Sequence, residues 1–558
     1  MNSNNKLVER ESTWSDIYEI AEKNAIKKDW HVAKNLIDIV KFPFPDSKED
    51  RVHIQLKTIC FILKMFEEGK KCVLLDMPVG SGKSLVNMTV AQNMKNSFIT
   101  LPQKSLQLQY VSEFPEICTE IKGRNNYTCA MNGHRCSEGV CRQSGKYKCE
   151  RFTLCEYWKQ KHAAVNAKIC ISNFSYFCLE GGSSFDNREM LVIDEGDDIA
   201  ESSILSICSV KFSYRTLREL YSQVDFKKDE WEILEDVKEL LFSEIDFLES
   251  QDVYTEREIK NLEAYNDLVG RISRIEDDWI INRDKQFIKG RHGIMKRGVY
   301  ETLEFKPLSI SPFAKELLWN RAEKYIISSA TILDWKSYVK ETGLDFLDKS
   351  EIVYVTMPSL FPKERRPIYY LGDRVGKMTA KEMSKNLSKA VDEIIQIANN
   401  HPGMRGLIHC TSFRNVNSLY NMLNNSEIKD RMIYHTNMID RNELIAKMMN
   451  EETPEDSIVV SPSLTRGADL KYDRLRFCII FKIPFGNTLD SRIRIRSKDY
   501  RWYSLQACRE LIQAYGRGMR AEDDFCDTYV LDSGFKQMIN GIMKYTAPKW
   551  FRDAIIWK

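Results

Sequence analysis

No apolar run in this 558-residue chain approaches the roughly 18 residues that a membrane-spanning helix needs. The opening residues, Met1-Asn-Ser-Asn-Asn-Lys6, are polar and contain no apolar core of a secretory leader. The expected compartment is therefore a reducing cytoplasm, nucleoid-associated, or nuclear if the source is eukaryotic. An excess of charge is also missing: 82 Lys and Arg against 80 Asp and Glu leave a formal +2. That balance still permits a basic groove, because the distribution of charge rather than its sum makes a nucleic-acid footprint. There are no internal repeats and no low-complexity linkers, so the length must be shared among ordinary globular domains, roughly two to four of them.

What is present begins with an ordinary globular composition, 43% hydrophobic and 29% charged. Of the 15 cysteines, Cys118, Cys129, Cys136, Cys141, Cys149, Cys155, Cys170 and Cys178 crowd into one stretch. In a reducing compartment such a cluster reads as metal ligation before disulfides. The others are scattered, several in apolar runs such as Phe477-Cys-Ile-Ile480, and read as small core residues.

Short apolar runs at 71–78, 97–101, 190–193 and 325–327 predict buried strands, and the first leads through a glycine-rich turn into a helix from Ser84. Continuous apolar strands between helical stretches indicate an α/β fold with a parallel sheet covered on both faces. Around Trp231-Glu-Ile-Leu-Glu-Asp-Val-Lys-Glu-Leu-Leu-Phe242 the apolar spacing becomes helical, so 205–320 reads as a helical insertion. Strand-like runs resume at Gly406, Ser457 and Phe477, marking a second α/β lobe.

Met77-Pro78-Val79-Gly80-Ser81-Gly82-Lys83-Ser84 lies between strand and helix, the context a phosphate loop requires. Glycines let backbone N–H groups close on phosphates at a helix N-terminus, Lys83 reaches the β and γ phosphates, and Ser84 can hold Mg²⁺. Asp194 and Glu195, at the end of Leu191-Val-Ile193, supply a metal-holding carboxylate and a group to polarise the attacking water. Gln513-Ala-Tyr-Gly516-Arg517-Gly-Met-Arg520, expected on a helix, brings two arginines onto one face, suited to transferring-phosphate charge or simply to solvent.

In this order the elements resemble superfamily 2 helicases of the XPD/DinG group, over most of the chain. Met77 before Pro78 matches that group's form of the loop. Gln55 is similar to the glutamine that reads adenine, and Thr100-Leu-Pro-Gln-Lys-Ser-Leu-Gln107-Leu-Gln109 resembles motif Ia. Ser328-Ser-Ala-Thr-Ile-Leu333 resembles motif III, Leu407-Ile-His-Cys-Thr-Ser-Phe413 motif IV, Ser461-Pro-Ser-Leu-Thr-Arg-Gly467-Ala-Asp469-Leu motif V, and 513–520 motif VI. Gly123-Arg-Asn-Asn-Tyr-Thr-Cys129 and Cys155-Glu-Tyr-Trp158 look like the two ends of the group's iron–sulfur domain.

The resemblance implies two RecA-like parallel-sheet lobes. Lobe one is expected over 1–117, 166–204 and 321–350, an iron–sulfur domain over 118–165, a helical arch over 205–320, and lobe two over 351–558. It implies ATP and Mg²⁺ as ligands and 5′-to-3′ movement on single-stranded DNA, with a tailed or forked duplex as substrate and the chain acting as a monomer. Lys83, Asp194 and Glu195 fall on one side of the cleft and Arg517 and Arg520 on the other. Gln513, Gly467 and Asp469 join the nucleotide site, as do Gln55, Pro78, Gly80, Ser81, Gly82 and Ser84. Where the group usually has Asp-Glu-Ala-His, this chain has Asp194-Glu195-Gly196-Asp197; Asp197 could accept a hydrogen bond from Gln513 or Thr331.

A [4Fe–4S] cluster takes four thiolates, and five cysteines are candidates. The resemblance selects Cys129, Cys149 and Cys155, with Cys141 as the fourth and Cys136 as its alternative. Zinc is the competing metal, although the central spacings lack a zinc knuckle. Cys118, Cys170 and Cys178 read as core, and His134 as a surface residue. Arg142, Lys146, Tyr147, Lys148, Arg151, Trp158, Lys159 and Lys161 mix cations and aromatics, either as a strand-guiding surface or as a solvated rim. Arg492-Ile-Arg-Ile-Arg496 with Tyr500-Arg-Trp502 poses the same choice between a half-buried strand or loop and a DNA face. A remodeller of protein–DNA or RNA–DNA complexes shares all these motifs; a weak ATP-gated clamp is disfavoured by intact Lys83, Glu195, Arg517 and Arg520, and a nuclease because no further carboxylate or histidine cluster lies outside the named motifs.

Overall fold

The computed structural model describes residues 11–12, 48–139, 141, 149, 152–185, 187–288, 298–436, 443–446, 453–464, 472–516, 518 and 524–557. Its apolar runs become strands of two parallel sheets. The first contains, in spatial order, Glu11–Ser12, Ile352–Thr356, Cys72–Asp76, Ala322–Ser329, Arg188–Asp194, Ser97–Leu101, Ile169–Asn173 and Thr119–Ile121. The second runs Met432–Tyr434, Ile458–Ser461, Gly406–His409, Phe477–Ile480, Asp527–Val530, Ile368–Tyr370 and Ile555–Trp557.

Successive strand residues face opposite sides of a sheet, and here both sides are covered. Leu74, Phe98, Leu191, Ile193 and Ile327 enter one buried cluster, while Val73, Leu75, Ile99, Val192 and Ile326 enter another. The second sheet divides in the same way, Leu407, Val459 and Ile480 on one face and Ile408, Val460 and Ile479 on the other. This two-sided burial is why these strands read as unbroken apolar runs. Parallel pairing also aligns the carboxyl ends of three strands, Ser329 beside Asp76 and Ser328 beside Asp194. The three motifs they carry are thereby brought to one edge. Among the described residues no helix is long and apolar enough to cross a membrane.

The insertion expected to be helical does contain two long helices, Glu230–Glu249 and Glu256–Ile272, but also an antiparallel sheet of Val210–Phe212, Gly298–Lys306 and Ile280–Ile288. Leu303 and Phe305 are buried and alternate with Glu304 and Lys306, a two-residue period hidden by the stronger helical signal upstream. The first lobe also runs past residue 350. Ile352–Thr356 pairs with Cys72–Asp76, because a five-residue apolar strand is more stable inside the first sheet than in a linker. Thr119–Ile121, assigned to the cysteine insert, likewise pairs with Ile169–Asn173 in lobe one.

Candidate active site

The phosphate loop leaves the strand Cys72–Asp76 and enters the helix Lys83–Gln92. Gly80 and Gly82 have φ of 77° and 87°, a left-handed conformation that costs glycine little and other residues more. The Ser81 hydroxyl donates to the Pro78 carbonyl, closing the turn on itself. Gln55, 1% exposed, donates from Nε2 to the Ser81 carbonyl at 3.1 Å, while its Oε1 is buried without a partner. The expected adenine reader is therefore also a brace for the loop. Lys83 opens the helix; its Nζ lies 3.3 Å from Glu195 Oε1 and 3.5 Å from the Met77 carbonyl.

The strand Arg188–Asp194 delivers the acidic pair. Asp194 is 5% exposed and accepts from Tyr110 Oη on Oδ2 and from Ser328 Oγ on Oδ1, both at 2.9 Å. Burial, and then the charge of Glu195, push its carboxyl above the usual range; Lys83 and the two hydroxyls work against that rise. Two adjacent carboxylates with one lysine between them are short of positive charge, which fits a divalent cation bound with phosphate. Glu195 has φ of 52°, and a non-glycine residue there stores on the order of 1 kcal/mol of strain. Its twist begins the helix Gly196–Cys208. Gly196 is required locally: a Cβ there would lie 2.5 Å from Ile327 Cγ2.

Asp197 is 3% exposed and accepts from Ser329 Oγ at 2.8 Å and from Thr331 Oγ1 at 2.7 Å. Gln513 Nε2 in turn donates to Thr331 Oγ1 at 2.9 Å. The carboxylate standing in the histidine position thus reaches the second lobe through one threonine. A further link is steric: a Cβ on Gly516 would lie 3.2 Å from Val79 Cγ2, so the end of the helix Tyr500–Tyr515 abuts the phosphate loop. That helix ends at Tyr515 with Gly516 as its C-cap; of the helix expected over 513–520, residues 513–515 are helical, and 517, 519 and 520 lie outside the described residues. Arg517, Arg520, Gly467 and Asp469 lie outside the described residues. Ion pairs complete the lobe contact, Arg501 to Asp334 and Arg509 to Glu341 at 3.5 Å.

Asp76 gave no signal in the sequence beyond preceding the loop. It is 2% exposed, and its Oδ2 accepts from Tyr354 Oη at 2.9 Å and from the Leu333 amide at 3.2 Å. Leu333 has φ of 63°, so Asp76 pins a strained turn of motif III. Burial pushes its carboxyl up to about 6. Tyr110 and Asn87 were also missed, since their partners are remote in sequence.

In the cysteine insert, Cys129, Cys136 and Cys155 are buried and Cys141 and Cys149 are half-buried. Cys136 Sγ lies 3.9 Å from Cys155 Sγ, and burial followed by Cys155 pushes its thiol up to about 12. Burial also raises Cys141, whose electrostatic neighbours include Cys149, Cys129 and Cys155. Among the described residues no group of three or more His, Cys, Asp and Glu side chains is assembled as a metal site. Cys118, Cys170 and Cys178 are core and His134 is exposed, as expected. Arg142, Lys146, Tyr147, Lys148 and Arg151 lie outside the described residues. Lys161 is not on a strand-guiding face: it is 5% exposed, pairs with Glu180 at 3.1 Å and sits 5.3 Å from the Trp158 ring. The Arg492–Arg496 run is neither strand nor loop but part of the helix Ser491–Arg496. Arg492 is buried, donating to the Pro307 carbonyl at 3.0 Å and to the Leu308 carbonyl at 3.1 Å, so it fastens the arch to lobe two.

Residues 394–554 match the helicase C-terminal domain family. No curated protein matches the chain significantly in sequence. Among solved structures, an XPD helicase shares 14% identity over 91% of this chain and 99% of that one, with a TM-score of 0.60. An apo XPD structure shares 14% over 90% and 100% at 0.55, and Xpd4 of S. tokodaii shares 13% over 90% and 99% at 0.53. A helicase domain of this family implies ATP and Mg²⁺ as working ligands. In its C-terminal domain and in its fold the chain is thus similar to helicases, the XPD structures among them.

Proposed function

We propose that this protein is an ATP-driven motor that moves 5′ to 3′ along single-stranded DNA and opens duplex ahead of it. The observation that carries the reading is the joint between the lobes. The buried chain Asp197–Thr331–Gln513 and the approach of Gly516 to Val79 tie lobe two to both halves of the nucleotide site. Events at the phosphates must then be felt as lobe movement.

In this reading the amides of Gly80, Ser81 and Gly82 and the Lys83 ammonium hold the β and γ phosphates. Phosphate competes with Glu195 for Lys83, which frees the carboxylate to orient water and take its proton. Ser84 and Asp194 would hold Mg²⁺, which when bound neutralises charge between the phosphates. Gln55 faces adenine through its unpartnered Oε1. Gln513, Arg517 and Arg520, with Gly467 and Asp469, complete the site from lobe two. ATPase titrated with single-stranded DNA tests the motor itself: wild type should be stimulated many-fold and Lys83→Ala should stay flat. Absence of stimulation in wild type would overturn it, and 5′-tailed duplexes run against RNA–DNA hybrids separate helicase from remodeller.

The insert is proposed to hold a [4Fe–4S] cluster on Cys129, Cys141, Cys149 and Cys155. The choice of these four rests on the resemblance; Cys136, whose Sγ lies 3.9 Å from Cys155 Sγ, is the alternative to Cys141. Purified protein should carry about four iron atoms per chain. Cys141→Ser should lose them and Cys136→Ser keep them; stoichiometric zinc without iron would sink the assignment.

A further inference from the structure

Three buried side chains from three separate segments close a hydrogen-bonded ring on the Asp194 carboxylate. Tyr110 Oη donates to Oδ2 and Ser328 Oγ to Oδ1, each at 2.9 Å. Asn87 Nδ2 donates to both hydroxyls, at 3.2 Å to Tyr110 and 2.8 Å to Ser328. Each hydroxyl donates to the carboxylate and accepts from the amide, while Asn87 Oδ1 has no partner. Tyr110 is 1% exposed, and Asn87 and Ser328 are fully buried, so water does not substitute for any member.

Tyr110 comes from the helix Lys104–Glu113, and that helix has a second attachment. Gln107, fully buried, donates from Nε2 to the Ile121 carbonyl at 3.0 Å, and Lys104 Nζ donates to Asn126 Oδ1 at 3.0 Å. Ile121 and Asn126 lie on the segment that leads into the cysteine insert. One short helix therefore bonds the acidic end of the nucleotide site at one residue and the root of the insert at two others.

We propose that Tyr110 is a positioning residue that sets the Asp194 carboxylate for its cation, and that through it the helix Lys104–Glu113 links the cysteine insert to the nucleotide site. The inference rests on reading Asp194 as the Mg²⁺-holding group. A ligating carboxylate is oriented by the bonds its remaining lone pairs accept, and loss of such an outer partner lowers metal affinity about 10- to 100-fold. Tyr110→Phe keeps the ring, including its packing on Phe114 at 6.2 Å between centroids, and deletes only the donor to Oδ2.

The test uses the full chain with a non-hydrolysable ATP analogue, reading thermal stabilisation as Mg²⁺ is titrated. Tyr110→Phe should need about tenfold more Mg²⁺ for half of the stabilisation, measured from its own metal-free melting temperature. ATPase should be restored at high Mg²⁺. Ser328→Ala, which strips the other oxygen, is the second variant and carries the same expectation. Gln107→Ala should shift the Mg²⁺ midpoint in the same direction, and an unchanged midpoint there overturns the link to the insert. Wild-type midpoints in Tyr110→Phe and Ser328→Ala, alongside an inactive Asp194→Ala, overturn the positioning role alone. An Asp194→Ala that still hydrolyses ATP overturns the underlying reading instead.

Discussion

Glu195→Gln is expected to leave nucleotide binding in place and to lower kcat by about 10²- to 10⁴-fold, the range a positioned general base contributes. The amide keeps the size of the carboxylate and can hold a water, but it cannot take a proton. The strained backbone at Glu195, φ of 52°, aims the side chain at the Lys83 ammonium 3.3 Å away, so this carboxylate sits where the γ phosphate must arrive. Removing its charge also releases Lys83 to phosphate, so ATP should bind as tightly as to wild type or more so. Isotherms with labelled ATP beside steady-state turnover separate the two effects. Loss of binding and turnover together would mean that Glu195 serves the loop and not the water.

The second large effect is expected at Asp197. Asp197→Ala removes the acceptor of two buried hydroxyls, Ser329 and Thr331, and slackens the bond by which Gln513 grips Thr331. Leaving such donors unpaired costs about 1–3 kcal/mol each when nothing replaces the partner. The functional loss should be larger than the loss of stability, because a displacement of about 1 Å in a catalytic array can cost 10²-fold. DNA-stimulated ATPase should therefore fall about 10²-fold, while basal turnover falls less. Asp197→Asn, which keeps one acceptor oxygen, should recover part of the stimulation. If Asp197→Ala retained the full DNA response, the chain from Asp197 to Gln513 would be packing and not coupling.

The phosphate loop was legible because its chemistry is contiguous: a buried strand, two glycines at positive φ and a helix start follow one another within a dozen residues. The acidic pair and the motif III strand were legible for the same reason, as apolar runs ending in polar residues. Other readings failed where a residue's surroundings come from elsewhere. Lys161 looked like part of a basic face and is an interior cation, because Glu180 and Trp158 fold over it. Arg492 looked like half of an alternating strand and instead holds the carbonyls of Pro307 and Leu308, which precede it by 185 and 184 residues. The sheet within the arch escaped because Ile280–Ile288 pairs with Gly298–Lys306, a partner further along the chain that no local period announces.

By itself, the order of apolar runs determined that there are two parallel-sheet lobes, the first with a glycine-rich loop and an acidic pair at its strand ends, since each of these lies within a short local stretch. Only the tertiary structure decided how those units are wired. Tyr110, Asn87, Asp194 and Ser328 meet in one ring although Asn87 and Ser328 are 241 residues apart, because parallel pairing lines up strand ends regardless of sequence distance. Asp197 reaches Gln513 through Thr331 because the helix Tyr500–Tyr515 of lobe two meets the segment that follows the strand Ala322–Ser329. A hydrogen bond depends on positions in space, and a linear pattern records only the positions that local backbone geometry fixes.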